Sequence, residues 1–321
     1  MKRDRVDDSS NGLKETLTSR SLRDRFGKHF DRYCLIRRAA GTRDATLQRE
    51  YECHYLFWKY LRERRFKGDE LAVKKQHVHE YANMLFEDPG TKHNTARRKI
   101  EKLRLFYREA VRQEWILKDP TADYRLPKKE ENPITVLTVK QVKELLGLPD
   151  LTTAKGIRDR TMMELFYSSA FRLGEMAKLT DEDFTDDYRK VKIRGKGGKE
   201  SILPVGRMAA HFAKFYVHHV WPRINPHGHD QLFLSVNTNQ PMNKHVIYNT
   251  LRSYMKRIVP DRTIGMHVFR YSIATHLADE GVDIRLIQEF MRHDKPSTTA
   301  RYIKRSFQRL QQVHRDTHPR K

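Results

Sequence analysis

The chain has 321 residues, enough for two domains with separate cores. Its 64 Lys and Arg outnumber 41 Asp and Glu for a net charge of +23, split as +11 over residues 1–130 and +12 over 131–321, and two basic halves favour a polyanion that touches both, nucleic acid being the simplest. Two cysteines, Cys34 and Cys53, argue against a disulfide framework and spell no zinc pattern, no apolar run approaches the ~20 residues that span a bilayer, and none follows the basic N-terminus as in a secretory signal. The expectation is a cytoplasmic, nucleoid-associated protein with no membrane partner.

Residues 1–18 are polar and read as a flexible N-terminal extension. From about Ser19 helical signals dominate. The stretch Leu47–Leu61 places Tyr51, Tyr55, Trp58 and Leu61 on one helical face. Val78–Phe86 spaces Tyr81, Met84 and Leu85 similarly and ends at the turn signal Asp88-Pro89-Gly90. Another helix is expected from Asn94 to Glu114. Ala96, Ile100, Leu103, Phe106, Tyr107 and Val111 form its apolar stripe, while Lys92, Arg97, Arg98, Lys99, Lys102 and Arg104 load the remainder with charge. Residues 19–125 thus read as a four- or five-helix bundle, and the polar segment 126–135, bracketed by Pro127 and Pro133, as an interdomain linker. Beyond it Thr138 is a candidate N-cap for a helix to Leu146. Arg158–Tyr167 and Arg172–Lys178 follow as helices, then two short strands, Lys190–Ile193 and Ser201–Val205, around the glycine turn Gly195–Gly198. Helices return at 207–220, 243–257, 267–280 and 283–291. The fold class is mainly α, with a mostly helical second half that carries a small antiparallel sheet.

Breaking a phosphodiester without a metal places extra negative charge on the non-bridging oxygens. Arginine's planar fork suits that charge because it donates two parallel bonds and never deprotonates. A nucleophile, a base and an acid for the leaving 5′ oxygen complete the set. A tyrosine nucleophile also preserves the energy of the broken bond in its phosphotyrosyl ester. The second half contains each of these types: Arg172, with Glu175 three residues on; Lys196 in a glycine-rich turn; His267 and Arg270 on one helix face; and His293 and Tyr302 downstream. Singly each has an ordinary explanation, as a surface ion pair, a tight turn, a solvated helix face or a packed tyrosine. Glu175 reads equally as a helix salt bridge and as a group that orients an arginine or histidine.

In order and spacing the set resembles the tyrosine recombinase (phage integrase) family, particularly its two-domain Xer-like members, over roughly residues 20–315. The family's Thr-Gly-Leu-Arg-Ile-x-Glu-Leu box is matched by Ser169-Ala170-Phe171-Arg172-Leu173-Gly174-Glu175-Met176. Its Gly-Lys-Gly-x-Lys-Glu hairpin is matched at 195–200, and its His-x-Leu-Arg box by His267-Val268-Phe269-Arg270 and the run to Leu277. The last box is matched by Gln288–His293 and Thr299–Tyr302. Successive separations are 24 residues from Arg172 to Lys196, 23 from Arg270 to His293 and nine from His293 to Tyr302.

The resemblance implies a SAM-like helical DNA-binding domain over 19–125, a catalytic domain over 136–303, and a tail helix over 304–321 that docks on a neighbouring protomer. It implies a site-specific recombinase acting on double-stranded DNA, assembled as a tetramer in the synapse and needing no cofactor or metal. Arg172 and Arg270 would clamp the phosphate, Lys196 protonate the 5′ oxygen, and His293 donate to a non-bridging oxygen. His267 would accept the Tyr302 proton or hydrogen-bond the phosphate. Base and backbone contacts are expected from the helices near 92–108 and 243–257, with Lys92, Arg97, Arg98, Lys102, Lys244 and Arg252 as candidates. Two departures stand out: Arg292 occupies a position where the family usually has glycine, implying different packing or an added phosphate contact, and Tyr271 replaces a frequent histidine. The rival readings are a type IB topoisomerase with the same chemistry and a DNA-binding relative without catalysis. His211, His218, His219, His227 and His229 have no carboxylate or cysteine partner set that would make a metal site.

Overall fold

The computed structural model describes residues 27–130, 135–194, 200–260 and 265–292. The expected extension 1–18 and tail 304–321 lie outside the described residues, as do Lys196, His293 and Tyr302. The chain forms two compact units that divide between Asn132 and Pro133.

The first unit contains α1 (Lys28–Ala39), α2 (Asp44–Glu63), α3 (Lys75–Glu87) and α4 (His93–Arg112). Helix α1 stops at Gly41, whose φ of +79° is open to glycine at little cost. Its core is aromatic. Phe30 meets Trp58 edge-on at 5.7 Å, Tyr33 meets Phe106 at 5.5 Å, and Val78, Tyr81, Ala82 and Leu85 seal α3 against them. Met84, expected on that stripe, lies on the open side at 37% exposure, because the other four already fill the buried face. Inside this core Glu50 is fully buried and accepts from Tyr33 Oη (2.8 Å) and Lys102 Nζ (2.9 Å), with Arg37 at 3.5 Å. Residues 127–130, read as linker, run along the start of α4. Arg97 donates to the Pro127 carbonyl, His93 Nε2 lies 3.0 Å from the Lys128 carbonyl, and the Asn94 side chain pairs with both backbone groups of Glu130.

The second unit begins with α5 (Val139–Leu146), whose N-terminus is closed as expected: Thr138 Oγ1 accepts from Gln141 N, and Gln141 Oε1 accepts from Thr138 N. Helix α6 (Ala154–Ser169) runs longer than the apolar signal because it is central and buries polar side chains too, Arg158, Asp159, Thr161 and Glu164 among them. Gly156 is required near its start, since a Cβ there would stand 1.8 Å from the Asp150 carbonyl oxygen. A single turn, α7 (Leu173–Met176), leads to an antiparallel sheet in the order β1 (Phe184–Thr185), β2 (Lys190–Arg194), β3 (Glu200–Pro204). Strand β1, two residues long, is too short to leave a period-two signal. Val191 pairs with Leu203, and these with Ile193 form the buried face.

The expected helix 207–220 is α8 (Arg207–Phe215) followed by a π turn at Tyr216–Val220 and by α9 (Trp221–Ile224). Pro222 lacks the N–H that a continuing α-helix would need, which accounts for the break in the ladder there. The last helices among the described residues are α10 (Lys244–Ile258), capped by Asn243; α11 (His267–Asp279); and α12 (Ile284–Met291), capped by Asp283. Among the described residues no helix is long and apolar enough to cross a membrane.

Candidate active site

The site grows from two helix ends. Helix α6 finishes at the buried Ala170, whose φ of 49° and ψ of 43° put it in the left-handed region. That conformation costs an alanine roughly 1 kcal/mol and turns the chain sharply, so Arg172 arrives two residues later at the start of α7. Glu175 folds back on it: Oε2 accepts from Arg172 N (2.7 Å) and Oε1 from Arg172 Nη1 (2.9 Å). Its carboxylate is only 8% exposed, so it needs those donors. The helix salt bridge is therefore present, and the same carboxylate also accepts from the Arg172 backbone.

The second helix end belongs to α12. Its final carbonyls have no helical N–H to meet them and form the negative pole of the helix. Arg270, 2% exposed in the first turn of α11, donates Nη2 to the Met291 carbonyl (2.6 Å) and Nη1 to the Ala170 carbonyl. Arg172 donates Nη2 to the next carbonyl, that of Arg292 (2.7 Å). Two arginines from distant boxes thus converge because both satisfy orphan carbonyls of one helix terminus. Arg292 itself is left-handed at φ 50°, and its Nη2 reaches Glu175 Oε2 at 2.9 Å. Its position is a tight helix end, where the family's glycine would adopt the same backbone freely.

His267 stands one turn before Arg270 on α11. The residue keeps solvent contact, yet its pKa lies below the ordinary histidine value. Desolvation is the main cause, and the Arg270 and Arg172 guanidiniums add to it. The imidazole is accordingly neutral at neutral pH and able to accept a proton. Of the seven expected catalytic and orienting residues, the structure brings together Arg172, Glu175, His267 and Arg270; Lys196, His293 and Tyr302 lie outside the described residues.

Three positioning groups were missed at the sequence level. Ser272 Oγ accepts from Leu137 N (2.9 Å), His276 Nε2 lies 2.9 Å from the Leu137 carbonyl, and Tyr167 Oη is 2.8 Å from His276 Nδ1. They fasten the segment entering α5 to α11. Ser272 and His276 sit in the box around Arg270, so the signal was present.

The candidate DNA contacts differ in availability. Lys92, Arg98 and Lys244 are exposed. Arg252 is half-buried over the Tyr248 ring at 5.9 Å. Arg97 is held by Glu101 and the Pro127 carbonyl, and Lys102 neutralises the buried Glu50. Among the described residues His211, His218, His219, His227 and His229 form no metal-ligating group; the one group close enough is His29, Asp69 and Glu70, in the first unit.

Known proteins share this chain's sequence patterns and its fold. The sequence pattern of the phage integrase family matches residues 135–309, and that of the phage integrase SAM-like domain matches residues 25–126. Tyrosine recombinase XerD of Staphylococcus haemolyticus (strain JCSC1435) is 32% identical over 249 residues, covering 77% of this chain and 84% of that protein. Two solved structures share the fold. The XerH site-specific recombinase, bound to a palindromic difH substrate in a post-cleavage complex, has a TM-score of 0.66 at 18% identity over 80% of this chain and 76% of its own. A lambda integrase dimer on a COC' core site has a TM-score of 0.65 at 16% identity over 87% of this chain and 95% of its own. With a family pattern over residues 135–309 and a relative 32% identical over 77% of the chain, the chain belongs to the phage integrase family and is a Xer-like tyrosine recombinase.

Proposed function

We propose that this site cuts and rejoins double-stranded DNA at a specific sequence through a 3′-phosphotyrosyl bond to Tyr302. The observation that carries the reading is the convergence of Arg172 and Arg270 on the last carbonyls of α12, immediately before the segment that bears His293 and Tyr302. In the step proposed, the Tyr302 oxygen forms a bond to phosphorus and its proton passes to His267. The bond from phosphorus to the 5′ oxygen breaks, and Lys196 supplies the proton to that oxygen. Arg172, Arg270 and His293 hold the charge on the non-bridging oxygens, and Glu175 keeps Arg172 aimed. Attack by a free 5′ hydroxyl reverses the step on the same or another strand. Side-chain cations supply the electrostatic stabilisation, so cleavage should survive excess EDTA.

We assign residues 19–125 to DNA binding, 126–135 to the linker and 136–303 to catalysis, with the protein at work on the nucleoid in the cytoplasm. Lys92, Arg98 and Lys244, open to solvent, are the stronger phosphate contacts; Arg97, Lys102 and Arg252 hold internal partners. The 304–321 tail we place on a neighbouring protomer within a tetramer. Ile303 and the tail's Phe307, Leu310 and Val313 are spaced by four, three and three residues, a pattern that would place them on one side of a helix. A groove of about 430 Å³ between α11, α12 and the end of β3 offers a matching surface, with Leu286 60% exposed on its rim. Truncation after Lys304 should leave single-site binding nearly intact and abolish recombination between two sites.

The test uses nicked duplexes with a randomised core, in which cleavage releases a short fragment and traps the covalent adduct. Adducts resolved on a denaturing gel and sequenced give the preferred site. Wild-type protein should yield adducts of restricted sequence and Tyr302→Phe none. Adducts that persist in Tyr302→Phe, or their absence from wild type, would overturn the reading.

A further inference from the structure

Arg292 is unusual in two independent respects. Its backbone occupies the left-handed region, φ 50° and ψ 51°, where glycine would be the relaxed choice. Its side chain is only 11% exposed, yet two of its donor atoms, Nε and Nη1, are buried with no hydrogen-bond partner among the described residues. The third, Nη2, goes to Glu175 Oε2 at 2.9 Å and, more distantly, to the Ala170 carbonyl at 3.4 Å. A left-handed backbone that carries a mostly buried, under-satisfied cation is costly twice over. The carbonyl that positions Arg172 belongs to the main chain of residue 292 and would be present with any side chain.

The charges around it point the same way. Glu175 is one carboxylate shared by two guanidiniums, those of Arg172 and Arg292, so among the described residues it faces more positive charge than it carries. Burial also holds the Arg292 pKa below the usual arginine value. A buried arginine with a purely structural task looks different in this very protein: Arg158 uses Nε, Nη1 and Nη2, all directed to Asp159 and the Leu234 carbonyl. Unmet donors together with surplus positive charge are what a bound oxyanion satisfies.

We propose that Arg292 is a third phosphate-binding arginine, whose unpaired donors serve a non-bridging oxygen of the phosphodiester held by Arg172 and Arg270. The proposal rests on the reading of this site as the one that cleaves DNA. Anion capture by Arg292 can nevertheless be measured without cleavage. Glu175 then has two tasks, because it orders Arg172 and Arg292 side by side and spaces their forks over one anion.

The test compares full-length wild type with Arg292→Gly and Arg292→Lys. Glycine keeps the carbonyl, relaxes the backbone and deletes only the guanidinium. In the first arm the thermal midpoint is followed as inorganic phosphate is added to protein without DNA. Wild type should be stabilised by phosphate and Arg292→Gly distinctly less, although Arg292→Gly without phosphate should melt at the same temperature or higher. In the second arm adduct formation is timed on the selected duplex, with either a normal phosphodiester or a neutral methylphosphonate at the scissile position. Arg292→Gly should slow the normal substrate by about tenfold or more, with Arg292→Lys between the two, since a lysine retains charge without the fork. The defect should largely vanish on the methylphosphonate, which offers no anionic oxygen to lose. Equal phosphate stabilisation in all three proteins, or an equal defect on both substrates, would overturn the proposal and leave Arg292 a packing residue. Loss of wild-type adducts with the phosphate response intact would instead remove the cleavage reading and retain Arg292 as an anion site.

Discussion

Asp159 and Glu175 are both buried carboxylates of the second unit, and both are surrounded by cations, but the two networks close differently. Asp159 Oδ1 accepts from Arg158 Nε (3.0 Å) and Nη2 (2.7 Å), while Oδ2 accepts from Lys155 Nζ (2.8 Å) and Tyr254 Oη (2.9 Å). The remaining Arg158 nitrogen reaches the Leu234 carbonyl at 2.8 Å. Around Glu175 both carboxylate oxygens also accept, yet among the described residues Arg292 Nε and Nη1 have no hydrogen-bond partner. A closed network holds helices together and has nothing left to offer. An open one retains its desolvation cost and is therefore poised for a ligand.

The comparison predicts opposite signatures for the two carboxylates, and the largest effect belongs to the closed network. Asp159→Ala strands Arg158 and Lys155 and should cost about 3–5 kcal/mol, read as a fall in the urea midpoint of the second unit. A loss below 1 kcal/mol would show that the network is dispensable and would erase the contrast. A buried group of the first unit supplies a sharper control. His54 is fully buried and its pKa is lowered from 6.5 to about 3, with desolvation the chief cause. An unfolded chain takes up that proton more readily, so His54 favours folding above pH 6.5 and this contribution declines as pH falls toward 3. Between pH 6.5 and 4 the linkage amounts to roughly 3 kcal/mol. Denaturant midpoints at the two pH values should fall less in His54→Leu than in wild type; equal declines would show that other groups dominate.

Glu175→Gln should do little to stability, about 1–2 kcal/mol, because the amide still accepts hydrogen bonds. Its effect should fall on adduct formation, slowed by roughly 10–100-fold as Arg172 loses its charged partner and drifts from the phosphate. A variant that loses stability as Asp159→Ala does, with unaltered cleavage per folded molecule, would reverse the assignment. The smallest effect tests neither network: Thr138→Ala removes a solvent-exposed cap and should cost about 1 kcal/mol with cleavage unchanged. If cleavage falls with it, the α5 terminus is coupled to the site through Leu137, Ser272 and His276.

Much of this protein is set by local sequence. The helical stripe of Ala96, Ile100, Leu103, Phe106 and Tyr107 specifies α4 because burial of one face at period 3.6 is decided within a few turns. The Thr138 cap is equally local, since Thr138 and Gln141 satisfy each other's backbone groups. The family and its reacting residue types were legible in the boxes around Arg172 and Arg270. Other features required the packed chain. Periodicity could not show that Met84 faces outward, because the choice between two adjacent stripes depends on what α3 packs against. Nor could it show the π turn at Tyr216–Val220 or the two-residue strand β1.

For the site, the sequence by itself determined which arginines, histidines and carboxylate are present and in what order. Only tertiary structure decided where their donors go. Arg172 and Arg270 meet because both donate to carbonyls at one helix end, those of Arg292 and Met291, and backbone acceptors carry no residue-specific signal. Whether Arg97, Lys102, Arg158 and Arg292 are free or engaged follows from burial and from the partners that packing brings to them. Lys102 is consumed by Glu50, Arg158 by Asp159, and Arg292 is left half-satisfied beside Glu175. Charge is a property of the residue; the availability of that charge is a property of the fold, because a buried carboxylate claims whichever cation the packing brings to it.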